Sequence, residues 1–156
     1  MPFLIDGNNL MGTMTGMRMG DPEAQRRFVQ ELLSYQRLRK KGIVVVFDGL
    51  PETGAQKRDR SLGAVTVRYS GAGVSADDVI AGMLAKATPE HYVLVTSDRE
   101  LQARARALRV KVTGCREFLA EMEEEGKKAE EKKASGRPLS AAEVEEWMRL
   151  FRRPKP

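Results

Sequence analysis

The chain has 156 residues, 41% of them hydrophobic, and a net charge of +5, which favours one substantial core and a polyanionic partner. No segment approaches the roughly 18 consecutive apolar residues that a membrane helix needs, and we expect neither a membrane segment nor an export signal. The single cysteine and single histidine exclude an internal disulfide and a structural zinc site, and they favour a reducing cytoplasm.

The first half of the chain alternates strand and helix patterns. Residues 3–5 form a short apolar strand, and glycine and asparagine at 7–9 predict a tight turn. Asp21-Pro22-Glu23 is typical of a helix start, and Gly42 ends that helix. The unbroken apolar segment 43–47 predicts a strand that is buried on both faces in the centre of a sheet.

The next segment is rich in turn-forming and basic residues. Residues 50–64 predict a mobile basic loop, and residues 65–69 alternate between apolar and polar side chains as a strand near an edge does. Ser75 and Asp78 have the spacing of a capping box at the start of the following helix.

A second strand and helix pair follows the same pattern. Residues 92–96 predict a buried strand, and Ser97 with Glu100 repeats the capping-box spacing. Val110 and Val112 are predicted to close the sheet. The alternation predicts an α/β fold with a central parallel sheet flanked by helices.

The C-terminal part has a different composition. A helix after Thr113 continues into a charged stretch at 123–133, which predicts a solvated helix or linker. A last helix is predicted after a cap formed by Ser140 and Glu143, and its apolar side chains follow helical spacing: Val144, Trp147, Met148 and Phe151. We predict a domain over 1–120 and a charged helical extension over 121–156.

Aspartates follow the predicted strands or open the helices after them: Asp6, Asp48, Asp77 and Asp98. Because parallel strands end on the same edge of a sheet, these carboxylates are expected to converge in one crevice. Carboxylates that lie so close repel one another, and a raised pKa or a bound hard cation such as Mg²⁺ or Mn²⁺ relieves the repulsion. The sequence therefore predicts a metal-dependent site.

The neighbours of these aspartates refine the prediction. Asp78 takes the capping position opposite Ser75, so Asp77 is the acid expected to face the crevice. Asn8 lies two residues after Asp6, where it serves either a metal-associated water or phosphate or a plain turn. His91 precedes its strand and is therefore a poor candidate for a general base.

Other phosphate-binding functions are disfavoured because the sequence lacks the motifs that they require. The chain has neither a G-x-x-x-x-G-K-[ST] loop nor a complete dinucleotide fingerprint, so we expect no nucleotide cofactor. Metal-assisted hydrolysis of a phosphodiester remains, and it requires basic flanks that attract the substrate. The basic residues best placed for this role are on or beside the predicted loop: Lys57, Arg58, Arg60 and Arg68.

Four ordered motifs together resemble a known family. They are LIDGNN at 4–9, VVFDG at 45–49, SADDVI at 75–80 and VTSD at 95–98. The combination resembles the YacP-like branch of the NYN domains, within the PIN-like nuclease superfamily. The family often has tyrosine between the glycine and asparagine of the first motif, so its asparagine aligns here with Asn8 or Asn9.

The resemblance implies a single-stranded RNA endonuclease with Mg²⁺ or Mn²⁺ as cofactor. By position, Asp6, Asp77 and Asp98 match the acidic metal cluster, Asp48 the additional acid and Asn8 the polar residue of the first motif. The resemblance also implies messenger RNA as substrate and the ribosome as a partner.

Two other functions stay open. A catalytically silent adaptor that binds RNA or the ribosome would use the same scaffold, and its RNA binding would survive loss of the aspartates. A DNA flap nuclease or exonuclease is disfavoured because so short a chain lacks a helical arch and a DNA-binding appendage. The methionine-rich segment 11–19 is compatible with core filling or with an adaptable cover beside the pocket.

Overall fold

A computed structural model describes residues 1–14, 16–18, 20–51, 59–134 and 141–151. Within these ranges the chain forms six strands and six helices. In chain order they are β1 (Phe3–Asp6), α1 (Gly7–Thr13), α2 (Pro22–Arg39), β2 (Ile43–Phe47), β3 (Asp59–Leu62), β4 (Val65–Tyr69), α3 (Ala76–Lys86), β5 (Val93–Val95), α4 (Arg99–Ala107), β6 (Lys111–Thr113), α5 (Cys115–Ala134) and α6 (Ala141–Phe151).

The strands form one mixed sheet in the order β3-β4-β2-β1-β5-β6. Neighbouring strands are parallel throughout, except that β3 pairs antiparallel with β4. This confirms an α/β fold with helices around a mostly parallel sheet. The parallel strands all end at one edge, which is the edge that follows Asp6 in β1.

The prediction of a loop over 50–64 is wrong for its last part, because β3 lies there. The described residues of β3 are exposed or half-buried, so the strand has no apolar pattern by which sequence periodicity could detect it. Its backbone pairs with β4, and Gly63, with a φ of 61°, takes the left-handed conformation in the turn between them. The sheet is therefore mixed and not purely parallel.

Alternate strand residues divide the core between the two faces of the sheet. Phe3, Ile5 and Val45 face a core that includes buried residues of α1, α2 and α5. Leu4 and Val46 face the opposite core, formed with α3 and α4. A sheet covered on both faces buries its central strands, as the apolar segment 43–47 predicts, and in β2 only Val44 is partly buried.

The predicted turn at 7–9 is the first turn of helix α1 instead. Gly7 lies so close to β2 that a Cβ atom there would approach the Phe47 ring to 2.8 Å and Val45 Cγ2 to 2.9 Å. Glycine is required at this junction because helix α1 begins in direct contact with side chains of β2. A sequence-based interpretation of Gly-Asn-Asn as a turn does not detect that close approach.

Helix α5 extends across the predicted boundary at 120/121. The division of the chain into 1–120 and 121–156 remains a prediction. The helix contacts α2 through Arg39, whose Nη atoms lie 3.4 Å from Glu121 Oε1 and 3.6 Å from Glu125 Oε1. The cap predicted at Ser140 lies outside the described residues, as do the side chains predicted for the apolar face of α6 at 144, 147 and 151. Among the described helices, none combines the length and apolar character needed to span a membrane.

Candidate active site

Asp6 is the last residue of β1, and its side chain is 5% exposed. The Thr96 hydroxyl donates a hydrogen bond to Asp6 Oδ2 at 3.1 Å. Burial, followed by the negative charge of Asp77 and a smaller effect of Asp48, raises the pKa of Asp6 to about 6. A carboxyl group with this pKa lies in an environment that lacks positive charge.

Asp77 is the second residue of α3 and is half-buried. Its pKa is raised by burial and by the negative charges of Asp98 and Asp48. The neighbouring Ser75 caps α3 by accepting a hydrogen bond from the Asp78 N–H at 3.1 Å, as predicted. The structure thus brings the strand-end aspartates within electrostatic reach of one another at one edge of the sheet.

The other two aspartates also bind backbone groups at helix N-termini. Asp48 is exposed, and its Oδ1 accepts a hydrogen bond from the Ala76 N–H at 2.7 Å. Asp98 is the N-cap of α4 and accepts from the Leu101 N–H at 2.9 Å. Each carboxylate has one oxygen committed to the fold, which fixes its position beside the crevice.

The prediction that Ser97 and Glu100 form the capping box of α4 is wrong. Asp98 caps that helix, and the Ser97 hydroxyl accepts a hydrogen bond from the Cys115 N–H at 3.0 Å. Ser97 therefore connects the end of β5 to the start of α5. The Ser-x-x-Glu spacing is present, but a competing aspartate one residue later occupies the cap.

Both asparagines after Asp6 connect α1 to loops at the crevice. Asn8 Oδ1 accepts from the Asp48 N–H at 2.8 Å, which holds the residue after β2. Asn9 Oδ1 accepts from the Ser97 N–H at 2.7 Å and from the Cys115 thiol at 3.1 Å. The sequence favoured Asn8 as the site residue and kept Asn9 as the alternative alignment, and the structure gives both asparagines hydrogen bonds at the crevice.

Two buried hydroxyl groups were also missed. Thr96 is fully buried, and besides donating to Asp6 it accepts from the Asp98 N–H at 3.1 Å, so it lies between two of the aspartates. Ser70 donates to the Val74 carbonyl at 2.6 Å and accepts from the Gly49 N–H at 2.9 Å. Each of them is the first residue after its strand, Thr96 after the apolar β5 and Ser70 after the alternating β4, and that position was the available signal.

The structure describes two of the four residues predicted to bind RNA, Arg60 and Arg68. Lys57 and Arg58 lie outside the described residues. Arg60 is exposed on β3. Arg68 Nε lies 3.2 Å from Asp59 Oδ1, so this guanidinium is already paired with a carboxylate. Their part in RNA binding remains a prediction.

The carboxylates of the site are of the kind that binds a hard divalent cation, but within the described residues they do not form a complete set of metal ligands. Among residues 1–14, 16–18, 20–51, 59–134 and 141–151, no three His, Cys, Asp or Glu side chains are placed to hold one ion together. Mg²⁺ keeps several waters and is commonly bound by only one or two carboxylates, so a complete set of protein ligands is not needed. Burial, and after it the negative charges of neighbouring aspartates, raise the pKa of Asp6 and of Asp77, and a bound cation would favour the ionised form of both.

The family model described as a YacP-like NYN domain matches residues 3–152. The chain belongs to this family. Membership supports a nuclease-type function that involves RNA, and NYN nuclease domains generally depend on a metal ion. A comparison with curated protein sequences gives no match.

Two solved structures share the fold of this YacP-like NYN domain. The crystal structure of Rae1 (YacP) from Bacillus subtilis in its W164L mutant form matches with a TM-score of 0.71 and 22% identity, over 94% of this chain and 90% of that one. The crystal structure of Rae1 (YacP) from Bacillus subtilis matches with a TM-score of 0.69 and 22% identity, over 97% and 92% of the two chains. The likeness extends over nearly the whole of each chain.

Proposed function

We propose that this protein is a divalent-metal-dependent endoribonuclease that cleaves single-stranded RNA. The observation that supports the proposal most strongly is the coupling of Asp6 to Asp77 and Asp48 at the strand ends, with the pKa of Asp6 raised to about 6. In a member of the YacP-like NYN family, this arrangement suits a phosphodiester hydrolase whose carboxylates hold Mg²⁺ or Mn²⁺.

The residues have distinct roles in this proposal. Asp6, Asp77 and Asp98 hold the cation directly or through water, and Asp48 completes the acidic crevice. When bound, the cation activates water and stabilises negative charge on the phosphodiester. Asn8 fixes the loop after β2 by accepting a hydrogen bond from the Asp48 N–H.

The proposed substrate is messenger RNA in the cytoplasm, with the ribosome as a partner. The net charge of +5 supports attraction of a polyanion, and the single cysteine suits a reducing compartment. Lys57, Arg58 and Arg60 are the proposed phosphate contacts from the segment around β3. Arg68 contributes less, because Asp59 already neutralises its charge.

A cleavage assay on labelled single-stranded RNA tests the proposal. We expect wild-type protein to cleave with Mn²⁺ or Mg²⁺ and to stop with EDTA, and we expect Asp6→Asn to abolish cleavage. Glu31→Gln, which removes the same charge from the exposed surface of α2, is the matched control and keeps activity. Cleavage that persists in EDTA or in Asp6→Asn would overturn the proposal, and the same assay on translating ribosomes covers a substrate that is cut only there.

The second candidate is an RNA- or ribosome-binding adaptor without catalysis. It is favoured by the hydrogen bonds that Asp48 and Asp98 make to backbone N–H groups, since these carboxylates already have a structural role. RNA binding that is unchanged in Asp6→Asn, with no rise in melting temperature on addition of Mn²⁺, would select the adaptor.

A further inference from the structure

A groove lies beside the acidic crevice, between α1 and the first half of α5. It encloses about 800 Å³, and its lining comes from three parts of the chain. These are the end of α1, the residue after Thr96 and one face of α5: Gly12, Thr13, Met14, Ser97, Arg116, Leu119, Ala120 and Glu123.

Ser97 lines the groove and lies between Thr96 and Asp98, which belong to the crevice. Its N–H donates to Asn9 in α1, and its hydroxyl accepts from the Cys115 N–H at the start of α5. The preceding residue, Thr96, donates to Asp6, and the following residue, Asp98, caps α4. A chain that crosses the crevice at Asp6 and Asp98 therefore meets the near end of the groove.

The lining of the groove has an ordered chemistry. Arg116 is exposed at the near end, and within the described part of the chain it forms no ion pair with a carboxylate. Half-buried Leu119 and Met14 give an apolar wall between them. Glu123 lies seven residues after Arg116, about 10 Å along the helix, on the same face of α5.

This order matches one short length of a single nucleotide strand. A phosphate can bind the Arg116 guanidinium and a base can contact the apolar side chains of Leu119 and Met14, whereas the Glu123 carboxylate repels phosphate and so limits the strand to the part of the groove before it. About 10 Å accommodates roughly three stacked nucleotides at about 3.4 Å each. Arg116 thus provides a guanidinium beside the crevice that can bind phosphate, whereas the guanidinium of Arg68 is already paired with Asp59.

We propose that the groove between α1 and α5 binds the single-stranded RNA flank next to the cleaved phosphodiester, with Arg116 contacting a backbone phosphate. The inference rests on the proposed function, because it takes the acidic crevice as the place of cleavage. It adds a substrate-binding residue and a path that lie outside the segment around β3.

The first test measures binding of labelled single-stranded oligouridylate to full-length protein carrying Asp6→Asn, so that the RNA stays intact. In this background Arg116→Ala should weaken binding about five- to tenfold, and the slope of log affinity against log salt should fall by about 0.7. Arg106→Ala is the matched control, because it removes the same charge from an exposed position in the last turn of α4. We expect it to change affinity less than about twofold and to leave the salt slope unchanged.

The second test fills the groove without changing charge. Ala120→Trp places a large side chain in the groove and should weaken RNA binding at least as much as Arg116→Ala does. Ala103→Trp is the control, because Ala103 is exposed on α4, across the sheet from the groove. Melting temperatures of all four variants show that each of them folds.

The outcomes separate this inference from the proposed function. If wild-type protein cleaves RNA with metal, while Arg116→Ala and Ala120→Trp in the Asp6→Asn background bind RNA as their controls do, the groove assignment is overturned. If no metal supports cleavage but both variants still lose binding, the nuclease proposal fails and the groove stands. A wild-type protein that binds no single-stranded RNA overturns both.

Discussion

Gly7 is the residue at which the chain turns from β1 directly into α1, and it allows the two to approach closely. A methyl group at this position would meet the Phe47 ring at 2.8 Å. The residue before it is Asp6 and the residue after it is Asn8, so a shift of this junction would move two proposed site residues together.

We predict that Gly7→Ala lowers the free energy of unfolding by about 1–3 kcal/mol, because the added methyl group overpacks the contact with β2. Gly12→Ala in the same helix meets nothing within 4 Å and should raise stability by about 0.5–1 kcal/mol through helix propensity. Urea unfolding of both variants measures the difference. Equal stabilities for the two would contradict the close approach at Gly7.

The raised pKa of Asp6 predicts how stability depends on pH in the absence of metal. The folded state holds the Asp6 proton up to about pH 6, whereas the ordinary value is 3.8, so the folded state binds more protons between these values. Stability should therefore fall as pH rises through this window, by at most about 3 kcal/mol, and stay lowered above it. Asp77 shifts in the same direction.

Melting temperatures of metal-free wild type and Asp6→Asn between about pH 4 and pH 8 test this dependence. Wild type should lose stability over the lower half of that range relative to Asp6→Asn. Glu31→Gln on the exposed surface of α2 should follow the wild-type profile. Parallel profiles for wild type and Asp6→Asn would show that Asp6 has an ordinary pKa.

Sequence predicted which aspartates follow strands, but not how their neighbours hold them. Asp6, Asp48, Asp77 and Asp98 could be found because strand periodicity and parallel topology place them at one edge. The bonds that Asn9 and Thr96 make could not be found, since they join residues about 90 positions apart that meet only after the sheet forms.

At the scale of elements, α5 is held against α2 by a partly buried charge cluster. Arg39 lies between Glu121 and Glu125, and its side chain is 32% exposed. Its Nε atom is buried and finds no hydrogen-bond partner within the described part of the chain. The predicted solvated stretch at 123–133 therefore begins as a helix whose Glu125 contacts Arg39 of α2.

We predict that Arg39→Gln lowers the free energy of unfolding by about 0.5–1 kcal/mol at low salt and by less at high salt, because the ion pairs are screened. Arg26→Gln is the matched control, since its pair with Glu23 is much more exposed, at 62% and 51%. It should change stability by less than about 0.5 kcal/mol. Denaturant unfolding at low and high salt compares the two variants. Equal changes in the free energy of unfolding would contradict a stabilising role of Arg39 between α2 and α5.

The elements that sequence missed have a common physical cause. β3 and α1 are short, and tertiary contacts determine both: β3 by its ladder to β4, and α1 by its packing on β2. The apolar stripe of α2 and the unbroken apolar segment of β2 were predictable, because burial of one helix face and of both strand faces leaves a recognisable sequence pattern.

At the scale of the whole molecule, the sheet divides the protein into a face with α1, α2 and α5 and a face with α3 and α4. The acidic crevice lies at the edge where the parallel strands end. The groove with Arg116 lies on the first face, beside that edge. One edge thus combines the proposed cation site with the proposed path for a polyanion, which is the arrangement that a phosphodiester hydrolase needs.

We predict that Mn²⁺ raises the melting temperature at about pH 8 and has little effect at about pH 4, where Asp6, whose pKa is raised to about 6, is protonated. Asp6→Asn should lose most of the rise at the higher pH, whereas Glu31→Gln should keep it. Thermal unfolding with and without Mn²⁺ measures the shift. A rise of the same size in Asp6→Asn would place the metal elsewhere.

The most direct measurement is anomalous X-ray diffraction from a crystal of the protein soaked in Mn²⁺. We predict a peak at the strand-end edge, in direct or water-bridged contact with Asp6 and with Asp77 or Asp98. A fully soaked crystal that shows Mn²⁺ only at other positions, with the crevice free of anomalous density, would contradict the account.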